Sequence, residues 1–506
     1  MLIEQVMFAV ALLLIVSIVA TRASSHFGVP ALILFLAIGV LAGSEGPGGI
    51  FFEDYFVAQA VGVVALVFIL FSGGLDTDWP QIRPVLWQGL TLANLGVFVS
   101  AMLVGAFGTW VLGLGWTEAL LLGAIVSSTD AAAVFSVMRM RGVNLKHRLE
   151  PLVELESGSN DPIAVFLTVA VVGLIMTPGS SVLSLVPSFL LQMSLGAAGG
   201  YVLGRGMVLA INRLRLQQEG LYVVFTIGMT LLIYAATALI GGNGFLAVYI
   251  AGIIVGNANI VHKRSLLRFH DGIAWLMQIG MFLTLGLLIY PSQLLPVAGQ
   301  GLLLALFLSF VARPLSVAAS LIWFRRSPRE ILMVSWAGLR GAVPIVLATF
   351  PLLAGVPNAQ TIFNLVFFIV VVSVLLKGIS IANVARILGV NAERPQLPPE
   401  HTFVPDVRVS SRMVEAIVPP TSPLAGRTLL ELALPRGVLL VQIRREEEVI
   451  IPGGATLIEP EDHLLILVTP EAQPALEALR AQGAVRLIIP PPPAAPVPEP
   501  VTQLQP

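Results

Sequence analysis

Two carboxylates, Asp130 and Asp161, fall inside stretches of this chain that otherwise read as membrane-spanning. The second closes the run Glu154-Leu155-Glu156-Ser157-Gly158-Ser159-Asn160-Asp161, and an apolar stretch follows from Ile163 to Met176. An ionisable side chain at the bilayer centre costs roughly 2.5–3.5 kcal/mol on insertion scales, so residues of this kind are functional by default. Low dielectric disfavours the charged form of a carboxylate, which makes a buried acid able to trade protons. The chemistry suggested is a site that holds either a proton or a cation.

The neighbours of the two acids extend that reading. In a helix expected over 151–176 (helix 6), Glu156 and Asn160 are spaced i,i+4, as are Ser157 and Asp161, so each pair shares a face. Ser157, Asn160 and Asp161 can line one cavity with the oxygen ligands that hard monovalent cations need. Asp161 lies about eleven residues past Glu150, some 16 Å along a helix. In the stretch 117–138 (helix 5), Ser127-Ser128-Thr129-Asp130 interrupts apolar sequence. These side chains compete for backbone hydrogen bonds, so local unwinding is expected, which would free the Thr129 carbonyl. In 329–352 (helix 12), Gly338-Leu339-Arg340-Gly341 with Pro344 predicts a second break around a buried base. Arg340 must find an acid or several carbonyls, and Glu156 is the expected partner, leaving Asp161 for the ion. Arg313, within 299–324 (helix 11), reads as a structural base, and Lys377, within 360–388 (helix 13), as a side chain that snorkels.

The elements that must position these residues follow from composition. Of 506 residues, 56% are hydrophobic and 11% charged. Soluble domains carry about 25% charged residues, so the chain reads as an α-helical polytopic membrane protein. There are no cysteines, and six scattered histidines form no zinc motif; a net charge of −1 gives no sign of a nucleic-acid partner. Thirteen apolar stretches can be counted, the others being 3–21, 29–43, 57–74, 85–112, 181–211, 220–240, 244–257 and 271–290. The first lacks a basic flank and so reads as a retained helix, not a signal peptide. Gaps after even-numbered helices contain no Lys or Arg, whereas odd gaps hold Arg22, Arg83, Arg139, Lys146, Arg213, Lys263 and Arg325 among others. The positive-inside rule then places the N-terminus outside and the C-terminus in the cytoplasm. The breaks in helices 5 and 12 are seven helices apart, as expected of inverted repeats (1–6 and 8–13) with crossed discontinuous helices.

Beyond the membrane domain (1–390), residues 391–402 read as a linker and 403–484 as a small cytoplasmic α/β domain. Its β-type runs are Val438–Ile443 and His463–Val468, and its helices are expected over Thr428–Leu434 and Glu471–Gln482. A Pro-rich disordered tail (485–506) follows.

Thr129-Asp130, Glu156-Ser157-Gly-Ser-Asn160-Asp161-Pro and Gly338-Leu-Arg340-Gly-Ala, in that order, resemble the monovalent cation/proton antiporters of the sodium–proton exchanger type, in their bacterial NhaP-like branch. The resemblance covers nearly all of residues 1–388. It implies ion and proton binding at Asp161 and Asp130, helped by Ser157 and the Thr129 carbonyl. Asn160 would stiffen the site, and Glu156 would pair with Arg340. It also implies a homodimer in the inner (plasma) membrane, a moving core of helices 4–6 and 11–13, and electroneutral exchange. Where that family often carries an acid before Gly73-Gly74, this chain has Ser72. Ser422-Pro-Leu-Ala-Gly426 and Pro460-Glu-Asp462-His resemble the C-terminal ligand-binding (RCK-C or TrkA-C) module of potassium-conductance regulators. That resemblance implies either a nucleotide (or cyclic dinucleotide) ligand or an assembly role, and it favours potassium over sodium as the cation, with no cofactor. A gated channel would want a carbonyl filter such as TVGYG, and an intramembrane aspartyl protease a Gly-x-Gly-Asp setting; the sequence contains neither.

Overall fold

Among the described residues of a computed structural model, thirteen helices occupy the places expected from hydropathy. The structure describes residues 3–392 and 412–487, apart from 28–29, 147, 178, 180, 433, 436, 446–447 and 470–471. Helices 1–4 are Ile3–Phe27, Ala31–Ala42, Tyr55–Asp76 and Trp79–Leu112. Helix 5 is split into Trp116–Ile125 and Ala131–Met140, and helix 6 runs unbroken over Leu149–Met176. Helices 7–11 are Val182–Arg213, Glu219–Leu239, Gly244–Gly256, Lys263–Leu287 and Ala298–Phe324. Helix 12 is split into Pro328–Ala337 and Ala342–Ala354, bent by 52°, and helix 13 is Ala359–Ile387. Among the described residues, eight helices are long and apolar enough to span a membrane, and the bent helix 12 makes a ninth.

Local chemistry sets several starts. Asp54 caps helix 3 by accepting from Val57 N, and Asn243 caps helix 9 by accepting from Leu246 N. Ser327 and Glu330 form a reciprocal capping box at helix 12.

Paired features recur seven helices apart, which fits two related halves. Helix 2 crosses helix 10 where Gly39 meets Gly286, and helix 9 crosses helix 3 where Gly252 meets Gly74. A Cβ at Gly39 would come within 2.5 Å of the Leu283 carbonyl oxygen, and one at Gly74 within 2.5 Å of that of Tyr249. Small residues allow such backbone approach between membrane helices. Helix 4 carries a π-turn at Leu92–Gly96 and helix 11 another at Leu308–Ala312. The breaks of helices 5 and 12 complete the correspondence.

The chain divides into two units between Pro395 and Gln396. In the second, an antiparallel sheet runs in the order β5-β4-β6-β3-β7, with β3 Arg412–Ile417, β4 Val438–Arg445, β5 Glu448–Ile450, β6 His463–Val468 and β7 Arg486–Leu487. Its helices are Leu429–Leu432 and Gln473–Ala481. Alternation in β6 buries Leu464, Ile466 and Val468 against Ala472 and Leu476. Two boundaries move from their expected places. Asn391–Ala392 (β2) pair with Asn144–Leu145 (β1) instead of opening a linker, and Arg486–Leu487 add a strand where a tail was expected. Short polar pairs like these gain their structure from a partner strand, which local composition does not reveal. The rest of the linker, residues 403–411 and the tail beyond 487 lie outside the described residues.

Candidate functional site

Two extended segments cross at the centre of the membrane unit. Helix 5 stops at Ile125, and Ser127–Asp130 runs outside helical conformation until Asp130 caps the second half, its Oδ1 accepting from Ala133 N at 3.0 Å. Helix 12 stops at Ala337 and restarts at Ala342. The segments are joined by a backbone hydrogen bond from Asp130 N to the Leu339 carbonyl, 2.8 Å. Gly341 is required there, since a Cβ would lie 2.2 Å from Asp130 Oδ2.

Helix 6 holds this crossing from one side. Ser157 Oγ donates to the Thr129 carbonyl and accepts from Ala131 N, both at 2.9 Å. Asn160 Nδ2 donates to Thr129 Oγ1 at 2.6 Å, while Asn160 Oδ1 accepts from Thr129 N at 3.4 Å. Ser128 Oγ donates to Asp161 Oδ1. The Thr129 carbonyl, expected to be free, is therefore engaged by Ser157, with one lone pair remaining. Asp130, Asp161, Ser157, Ser128 and Thr129 line one cavity of about 440 Å³. The arrangement presents two carboxylates and several neutral oxygens to that space, a donor set for a hard monovalent cation or for protons. Among the described residues, no group of three or more His, Cys, Asp or Glu is placed to hold a metal ion.

The bases are distributed otherwise than expected. Glu156 pairs with Arg313, not Arg340: Nη1 lies 2.6 Å from Oε1 and Nη2 donates to Oε2 at 2.8 Å, with both side chains almost fully buried. Arg340 Nη1 instead donates to the carbonyls of Ser127 and Ser128, each at 2.6 Å. The physical reason is the break itself. Unwinding helix 5 strips these carbonyls of helical partners, and Arg340 extends from the crossing segment that faces them. Arg313 occupies the space under helix 12, where a Cβ at Gly338 would come within 2.3 Å of Arg313 Nε. Lys377, expected to snorkel, is fully buried and donates from Nζ to the Gly338 carbonyl at 2.7 Å. The end of the first half of helix 12 offers it an unpaired acceptor closer than any interface.

Ser72 does not line the main cavity; it borders a smaller adjoining one of about 200 Å³ with Asp76 and Asp271. Sequence reasoning passed over Asp76, Glu154 and Tyr249, which do line the main cavity. Glu154 lies seven residues before Asp161 and therefore on the same helical face, a signal the sequence carried.

Residues 10–387 match the family described as sodium/hydrogen exchanger, transmembrane, and residues 413–480 match the TrkA-C domain. The chain is 41% identical over 485 residues to the K(+)/H(+) antiporter NhaP of Alkalimonas amylolytica, covering 95% of this chain and 84% of that protein. It is 41% identical over 483 residues to NhaP2 of Shewanella sp. (strain MR-4), described in the same terms, covering 94% and 83%. Its fold matches a structure of the sodium proton antiporter MjNhaP1 from Methanocaldococcus jannaschii with a TM-score of 0.64 at 24% identity, over 75% of this chain and 100% of that one. Broken helices crossing beside buried acids, and a family match over most of its length, lead to one conclusion: the chain belongs to the sodium/hydrogen exchanger family of membrane antiporters.

Proposed function

We propose that the chain exchanges potassium for protons, one for one, by letting both compete for Asp161 and Asp130. The observation that carries this reading is the convergence of both carboxylates, with Ser157 Oγ and the Thr129 carbonyl, on one cavity at the helix crossing. Asn160 fixes the unwound Thr129 peptide, and Glu156 with Arg313 supplies a neutral strut behind it. Only a charge-compensated site crosses the apolar barrier readily, so a cation or a proton must be aboard when the core moves. The two acids titrate as a coupled pair.

Potassium is favoured by the full-length relatives, which are described as K(+)/H(+) antiporters and match across the TrkA-C domain as well. Sodium is the second reading, favoured by 30% identity over 344 residues to the Na(+)/H(+) antiporter ApNhaP of Aphanothece halophytica. The protein works as a homodimer in the plasma membrane, with its basic gaps and C-terminal unit in the cytoplasm, where that unit either binds a nucleotide-type ligand or serves assembly. Proton-coupled flux in proteoliposomes with potassium, sodium or lithium tests the reading. Asp161→Asn is expected to abolish exchange while the protein stays folded; full activity in that variant would sink the mechanism.

A further inference from the structure

Helix 6 presents Glu154, Gly158 and Asp161 at positions i, i+4 and i+7, which is one face, and all three line the same cavity. Glu154 and Asp161 are two turns apart, about 10 Å along the axis. Gly158 has no side chain because the ring of Tyr249, on helix 9, fills that place: a Cβ would lie 2.3 Å from Tyr249 Cζ. Tyr249 is 3% exposed, and its hydroxyl is buried beside Thr77. It stands between the two acids, close enough to feel the charge of both.

At Glu154, hydrogen-bond arithmetic constrains protonation. Thr77 Oγ1, at the end of helix 3, lies 2.7 Å from the Gly73 carbonyl and 2.9 Å from Glu154 Oε1. A threonine hydroxyl has one hydrogen to give, whereas a carbonyl and an ionised carboxylate can only accept. With Glu154 ionised, one of the two contacts is acceptor against acceptor. With Glu154 protonated, its O–H donates to Thr77 Oγ1, which donates in turn to Gly73, and both contacts are satisfied. The surroundings point the same way. Glu150 on the same helix, Asp76 on helix 3 and Asp78 beyond it face Glu154, with Tyr249 from helix 9. Arg139 of helix 5 and Asp271 of helix 10 act on Asp76. Among the described residues that line the cavity, five are acids (Asp76, Asp130, Glu150, Glu154 and Asp161) and one, Arg139, is a base.

We propose that Glu154 is a second proton-binding site on the ion path, a relay that carries protons between the open end of the cavity and Asp161. The inference rests on the reading of Asp161 as the exchange site. The step is a proton transfer and nothing more: the proton leaves a Glu154 oxygen, passes through water in the cavity or the Tyr249 hydroxyl, and arrives on an Asp161 oxygen. The negative charge moves the opposite way, and the pair's total charge is unchanged. Because Thr77 caps the end of helix 3 and Glu154 lies on helix 6, the protonated relay also ties those two helices together.

The test uses the full-length protein in proteoliposomes. Glu154→Gln keeps a donor for Thr77 but carries no proton. Its turnover in cation/proton exchange is expected to fall about tenfold or more, the scale at which positioned acids and bases contribute, with the cation KM changed by less than about twofold. Glu154→Asp restores part of the rate. Thr77→Val, which leaves the acid in place, is expected to move the pH of half-maximal exchange by about half a unit, and it decides the matter if the Gln variant does not fold. An unchanged rate and pH profile in Glu154→Gln, or a loss confined to KM, overturns the relay. The underlying reading fails separately, if Asp161→Asn remains active.

Discussion

The break in helix 5 and the break in helix 12 use the same backbone device and put opposite charges beside it. At the first, the following helix brings Asp161 to the unwound segment, where it accepts from Ser128 and borders the cavity. At the second, the following helix brings Lys377, which donates to the Gly338 carbonyl and is sealed from solvent. Arg340 then reaches from the second break to the carbonyls of the first. One break thus leaves an acid where ions can reach it, and the other sends Arg340 across to hold the crossing together. Two related halves can therefore serve one site without duplicating it, because among the described residues only the first half lines the main cavity with acids.

The largest effect is expected where that balance is fixed. Glu156→Gln leaves Arg313 buried without its counter-charge, a loss of about 3–5 kcal/mol for a buried pair. It should appear as a large drop in the melting temperature of detergent-solubilised protein. Adding Arg313→Met should recover much of it, because it removes the uncompensated charge. If Glu156→Gln alone melts like the wild type, the neutral strut is not what supports the crossing.

A smaller pair of effects separates the two breaks directly. Lys377→Met leaves the Gly338 carbonyl without a donor, a cost of about 1–3 kcal/mol, while the cavity and its acids stay in place. Stability should fall, and the pH profile of exchange should hold its shape. Ser128→Ala removes the hydroxyl that donates to Asp161, so the pH profile should move with little change in melting. The reverse pattern would mean that the fixed and the titrating halves have been assigned the wrong way round.

Much of this geometry was legible in the chain. Ser127–Asp130 competes with helical hydrogen bonding, and Gly338 with Gly341 and Pro344 weakens a helix, so the sequence alone places both breaks. The stripe formed by Ser157, Asn160 and Asp161 followed from helical spacing. The partner of Glu156 could not be read in the same way. Arg313 and Arg340 both sit in apolar sequence, and choosing between them requires the rotation of helix 11. That rotation is shifted by the π-turn Leu308–Ala312, for which apolar sequence gives no periodic signal. Lys377 was misread because a lysine in an apolar helix can snorkel or find a carbonyl, and the carbonyl exists only once helix 12 is broken.

The smallest effect is expected in the second unit, where an acid–base contact of similar composition sits in different surroundings. Arg445 donates to Asp462 from Nε at 2.8 Å and from Nη2 at 2.9 Å, and its Nη1 donates to Glu459 at 2.6 Å. Asp462 is fully buried, as Glu156 nearly is, but Arg445 is partly exposed and Asp462 Oδ2 also accepts from Glu459 N at 2.8 Å. Removing the arginine therefore leaves the carboxylate with a backbone donor and with water within reach, so the loss falls towards the surface range of about 1 kcal/mol. Arg445→Met should lower only a melting transition assigned to residues 412–487, with exchange by the membrane unit keeping its rate. A loss as large as that of Glu156→Gln would show that burial of one partner alone, without burial of both, sets the cost of breaking an ion pair in this protein.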